Sequence, residues 1–137
     1  MASTKKIRVL SDADLKKQAL SYVRYWQRKG FAPEWHVRVE VGTASSNTQA
    51  WASWDEEYRN VSLFINRKGS HIHRRGSCKH IILHELLHLV QAPAADWITK
   101  NFTESSPFRN EYMERQETVV DYLTNAIWRL TEKAEPS

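Results

Sequence analysis

The stretch Cys78-Lys79-His80-Ile81-Ile82-Leu83-His84-Glu85-Leu86-Leu87-His88-Leu89-Val90-Gln91 decides how this chain is read. Its apolar flanks read as a buried helix. Inside it lies the pattern H-E-x-x-H. On an α-helix, residues four apart share one face, one turn above each other. Imidazoles at 84 and 88 therefore reach one Zn²⁺ at roughly 2.0–2.1 Å each. Glu85 projects beside the metal, where it can take a proton from a water. That is the general base of metal-assisted peptide hydrolysis. The plainer reading is a core helix whose two histidines are hydrogen-bonded by neighbours.

A catalytic zinc site generally has three protein ligands and one position left for water. No histidine follows His88, and Gln91 and Ala94 stand where a metzincin extension needs glycine and histidine. His80 is a poor third ligand, because positions 80, 84 and 88 span about 12 Å of helix axis. His71 and His73 precede the helix in a basic loop and are expected to be solvated. A downstream carboxylate remains. The segment Glu114 to Leu123 is strongly helical, and Val119, Val120, Leu123, Ile127 and Leu130 recur at three- and four-residue steps. That spacing predicts one buried face. Glu117 neighbours Val120 on it and stands four before Asp121. Asp121 is placed to accept a hydrogen bond from a ligating histidine and fix its tautomer. Glu114 is the alternative ligand, and a plain solvated charge is the ordinary fate of a helical glutamate.

His84-Glu85-x-x-His88 followed by Glu117-x-x-x-Asp121 resembles the gluzincin arrangement of zinc metallopeptidases. The stretch Glu117-Thr-Val-Val-Asp-Tyr-Leu-Thr is similar to the glutamate-bearing helix of ImmA/IrrE-type peptidases. The layout as a whole resembles small zincin-like proteins of phage and bacterial genomes, over roughly residues 13–132. Only the two motifs are specific, and the long stretch between His88 and Glu117 departs from the pattern. The resemblance implies a minimal zincin-like α+β fold, with substrate bound as an extra strand along a sheet edge above the metal helix.

The rest of the chain sets bounds. Its 137 residues suit one domain, 1–137, with a real core. Six tryptophans are many for this length and are expected in the core and cleft walls. No apolar run approaches a membrane span. Met1 to Leu10 lacks the apolar stretch of a signal peptide and is expected to be loosely held. The single Cys78 excludes an internal disulfide framework and suits a reducing cytoplasm; it reads as a small packed residue. The net charge of +4 clusters in Arg67-Lys68-Gly69-Ser70-His71-Ile72-His73-Arg74-Arg75-Gly76. This loop is a possible contact for nucleic acid or an acidic protein, although a solvated turn is the favoured reading.

Signals along the chain predict a helix from Leu15 to Lys29 behind Ser11-Asp12, with Leu15, Ala19, Tyr22, Val23 and Trp26 facing the core and Gly30 as its stop. Alternation predicts strands at 35–41, 49–55 and 60–66, the last two joined by a hairpin turn at 56–59. His36 is expected to be structural or exposed. The metal helix is expected from about Ser77 to Gln91, ended by Pro93. A short helix is expected around Asp96 to Phe102, and a last one from Ser106-Pro107 to about Lys133. The expected architecture is an N-terminal helix, a three-stranded mostly antiparallel sheet with 60–66 at its edge, the metal helix and a closing helix.

The leading expectation is a cytoplasmic zinc metallopeptidase acting on a protein or peptide substrate. His84, His88 and Glu117 hold Zn²⁺, Glu85 is the base and Asp121 supports a ligand. Tyr112, Arg109, Arg115 and Tyr122 are candidate donors to the oxyanion, Tyr112 being the one carried forward. The rival is a zincin-like metal-binding module that contacts nucleic acid or a partner protein without efficient catalysis.

Overall fold

A computed structural model describes residues 8–45, 47–55 and 57–132. Residues 1–7, which make up most of the segment expected to be loosely held, lie outside these, as does Glu56 of the hairpin turn. Leu10 is half-buried, and its N–H donates to His73 Nδ1 at 3.0 Å.

The order is α1 (Asp12–Arg28), β1 (His36–Gly42), β2 (Ala50–Asp55), β3 (Asn60–Asn66), α2 (Arg75–Val90), α3 (Ala92–Asn101) and α4 (Pro107–Thr131), an α+β fold. Ser11 caps α1 by accepting from the Asp14 N–H, and Asp12 and Asp14 complement the positive end of the helix. Gly30, at φ +102°, takes the left-handed turn that stops it. Leu15, Ala19, Val23 and Trp26 are buried, as the spacing predicts. Ser106 caps α4 through the Arg109 N–H, and Pro107 opens it. The chain leaves α2 at Gln91 and at once begins α3, with proline in its first turn, so α3 starts earlier than expected.

The sheet order is β1-β3-β2. β3 pairs parallel with β1, from His36 opposite Asn60 to Gly42 opposite Asn66, and antiparallel with β2, from Ala50 opposite Ile65 to Asp55 opposite Asn60. The sheet is therefore mixed, and the expectation that 60–66 forms its edge is corrected: β3 is central. The reason is burial. Val61, Leu63 and Ile65 are all buried, and Asn66 at the strand's end is fully so. The chain leaves β1, hops about 10 Å across the gap of two strand spacings, and returns through a hairpin into it. Asn66 holds the hop: its Nδ2 donates to Ser45 O at 2.7 Å, and its Oδ1 accepts from Ala44 N at 3.0 Å.

One sheet face carries Val39, Leu63 and Ile65 into the core with α1 and α2. The other bears Trp51 stacked on Phe64, centroids 5.1 Å apart. α2 sits at the middle of the molecule, packed by α1, α4 and β2. Ile82, Leu83, Leu86, Leu87 and Leu89 are all buried, which is why its apolar residues run almost unbroken. Trp26 of α1 locks the α1–α2 contact, its indole N–H donating to Lys79 O at 2.9 Å.

α4 departs from the expected single buried face. Val120 is buried and Ile127 half-buried, but Val119, Leu123 and Leu130 are exposed. The body of the molecule covers only part of the apolar stripe.

Candidate metal centre

α2 carries His84 and His88 on the side that meets α4 and β2. α4 brings Glu117 against them from 33 positions away in sequence. His84 Nε2 lies 2.9 Å from Glu117 Oε1, and His88 Nε2 lies 3.1 Å from Glu117 Oε2. The two Nε2 atoms are 3.2 Å apart. His84 Nδ1 stands 3.1 Å from Asp121 Oδ1, one turn beyond Glu117. His84, His88 and Glu117 form a cluster able to hold a metal ion, their ligand atoms all within 4.8 Å of one another.

The donor set fits a cation. Ligands about 2.0–2.1 Å from a tetrahedral zinc stand about 3.3 Å from each other. The three observed separations fall just short of that spacing. Asp121 at Nδ1 favours a proton on that nitrogen, and in the neutral ring this leaves Nε2 as a lone pair facing His88 Nε2 and the Glu117 carboxylate, an arrangement that a cation would satisfy.

Burial sharpens the chemistry. His88 is held below the ordinary imidazole value, first by burial and then by the His84 charge, against opposition from Glu117 and Asp121. A neutral imidazole is the form that binds metal. Glu85 is pushed up to about 8, first by burial and then by the negative charge of Glu117. The Glu117 side chain is 55% exposed, so the cluster opens to solvent on one side.

That side is a cleft of about 350 Å³. One wall is the outer strand β2, with Ala50, Ala52 and Trp54; the other is α4, with Met113, Gln116 and Glu117; His84, Glu85 and His88 line it from α2. Gln116 is a residue that the sequence reading missed. It is buried at the cleft, and among the described residues its Nε2 has no hydrogen-bond partner. A buried donor without an acceptor is rare in a folded protein. Its polarity on an otherwise apolar α4 face was the available signal.

The remaining candidates stand elsewhere. Tyr112 lines a groove with Gln91, Phe108 and Val119, not the cleft, because it lies on the flank of α4 away from Glu117. Arg109 donates to Phe102 O at 2.9 Å, Arg115 pairs with Glu111 at 2.8 Å, and Tyr122 is exposed. Glu114 is exposed on α4 and belongs to no metal-ligating cluster among the described residues. His80 packs edge-on against Trp128 and meets Asn125 Oδ1 at 3.1 Å. His36 and His71 are exposed. His73, expected to be solvated, is buried: it takes the Leu10 N–H at Nδ1 and meets Arg67 O through Nε2 at 2.8 Å. In the basic loop Arg67 is also tied to Asp12, with Nε to Oδ1 at 3.0 Å. Cys78 is buried, and burial pushes its thiol up to about 12, so it is a packed residue and no thiolate ligand. Trp97 and Phe102 meet edge-on near Phe108 at the α3–α4 corner, and none of the three lines the cleft.

No protein-family model matches this chain, no curated protein matches it, and no solved structure matches its fold. No helix among the described residues is long and apolar enough to cross a membrane.

Proposed function

We propose that this protein is a zinc-dependent metallopeptidase. The observation that carries the reading is the convergence of His84 Nε2, His88 Nε2 and the Glu117 carboxylate beside Glu85, at an open cleft along a free strand. Zinc held by these three residues supplies a Lewis acid that polarises a scissile carbonyl and acidifies a water. Asp121 holds the His84 ring by its Nδ1–H, which keeps Nε2 available as a ligand atom. Glu85 takes the proton from the attacking water and returns it to the leaving amine nitrogen. An extended peptide adds to the outer edge of β2, which borders the cleft and has no strand partner there among the described residues.

The rival reading, a metal-binding module without catalysis, uses the same ligands and differs at Glu85. A structural zinc has four closed ligands and no need of a base. Zinc-loaded wild type is expected to cleave members of a broad peptide library in a chelator-sensitive manner. Glu85→Gln is expected to keep its zinc and lose at least about 10²-fold in rate. Chelator-sensitive cleavage that survives Glu85→Gln rejects the mechanism. Absence of cleavage by zinc-loaded wild type favours the module.

A further inference from the structure

α4 has a second apolar face that this molecule does not cover. Tyr112, Gln116, Val119, Leu123, Ala126 and Leu130 follow one another at steps of four, three, four, three and four residues. That is the spacing of a helix-pairing seam. Leu130 is 79% exposed, Val119 46% and Leu123 39%. Apart from Gln116, which is buried and also lines the metal cleft, the stripe lies on the flank of α4 away from Glu117 and Asp121, so the metal centre does not account for it.

The two ends of the stripe differ in shape. Near its start is a groove of about 370 Å³, floored by Phe108, Tyr112 and Val119 and flanked by Gln91 and the Glu111–Arg115 ion pair. Near its end Leu130 projects into solvent. A knob at one end and a hole at the other cannot meet within one chain, but they meet in a pair. A two-fold axis across α4 near Asp121 sets residue 130 of one copy opposite residue 112 of the other, and 123 opposite 119. Such an isologous contact makes each match twice.

Charge agrees with this pairing. Glu111 and Arg129 lie on the same solvent-side flank of the stripe, 18 residues or five whole turns apart. Under that two-fold axis the flanks of the two helices run side by side. Glu111 of each copy, whose Oε1 is already held by Arg115 of its own chain, then approaches Arg129 of the other, which adds a second cation to that carboxylate.

We propose that the protein self-associates through α4 as an antiparallel two-fold dimer, with Leu130 of each copy seated in the Phe108–Tyr112–Val119 groove of the other. The contact is one helix seam, narrower than a standard protein interface, so the dimer is reversible at micromolar concentration.

Sedimentation velocity on the full zinc-loaded chain, over a micromolar concentration series, tests this. Wild type is expected to pass from monomer to dimer mass. Leu130→Asp, at an exposed position, is expected to keep its melting curve and zinc content and to weaken the dimer at least about tenfold. Glu111→Arg and Arg129→Glu are each expected to weaken it, and the two together to restore it. A wild type that is monomeric throughout overturns the proposal and leaves the stripe to a different partner. A dimer indifferent to Leu130→Asp, or a double swap without rescue, overturns this geometry. Zinc content and peptide cleavage, read on the same samples, separate this outcome from the fate of the peptidase reading.

Discussion

Glu117 and Glu114 are three residues apart on one helix, yet only Glu117 meets the histidines, with its two oxygens 2.9 and 3.1 Å from His84 and His88. Glu117→Ala is expected to lower zinc content of the purified protein far below wild type, and Glu114→Ala to leave it unchanged. Metal analysis of the two variants side by side decides the ligand, and equal retention in both rejects Glu117. Asp121→Asn should weaken zinc about 10–100-fold, the usual cost of losing a carboxylate behind a ligating histidine. Glu85 makes a separate, pH-dependent prediction. Its folded-state value, about 8, stands above the ordinary 4.5. Between those values the folded protein keeps a proton that the unfolded chain has released. The stability from the neutral carboxyl is thus fully present below the unfolded value and is lost as pH rises through the folded one. In chelated wild type the melting temperature is expected to fall from about pH 5 to about pH 8. Glu85→Gln is expected to lack that part of the fall, and an identical fall in both proteins would remove Glu85 as its source.

At the scale of elements, α1 and α4 show how far periodicity reaches. The α1 stripe was legible: Leu15, Ala19, Val23 and Trp26 are buried and Tyr22 is half-buried, because α1 has one neighbour side and one solvent side. Trp26 is its keystone, wholly buried and hydrogen-bonded to α2. Trp26→Ala should cost about 3–5 kcal/mol in urea unfolding. A loss under about 1 kcal/mol would mean that the α1–α2 contact contributes little. The α4 stripe was equally legible, but periodicity reports only that residues share a face. It does not report what covers the face, and here the covering body spans Val120, Thr124 and Trp128 while Val119, Leu123 and Leu130 stay outside. The strands teach a similar lesson. Alternation located all three to within a residue. Their order depends on which strand lies in the middle, and that is a contest among burial areas with no local signal.

Across the whole molecule, the proposed zinc joins α2 to α4 beside the packing of Val120 and Trp128 into the core. A ligand that binds only the folded state stabilises it by about 2.7 kcal/mol at a hundredfold excess over its dissociation constant. Zinc is accordingly expected to raise the melting temperature of wild type and of Glu85→Gln by several degrees, and chelation to reverse it. Glu117→Ala should show little of this shift. A shift as large in Glu117→Ala would place the stabilising metal elsewhere.

The amino-acid sequence by itself determined the elements, the pairing of His84 with His88, the place of Glu85 beside them and the candidacy of Glu117 with Asp121. All of these rest on helix geometry, in which four residues make about one turn and set side chains on one face. Only the tertiary structure decided that Glu117 and not Glu114 closes the cluster, that β2 and not β3 borders the cleft, and that Tyr112 belongs to a groove on the other flank. It also revealed Gln116 at the cleft and the uncovered seam of α4. These depend on how α4 is rotated about its axis and on which strand fills the gap beside β1. Both are settled by packing between residues far apart in the chain, where the free energy belongs to the contact and not to either segment alone.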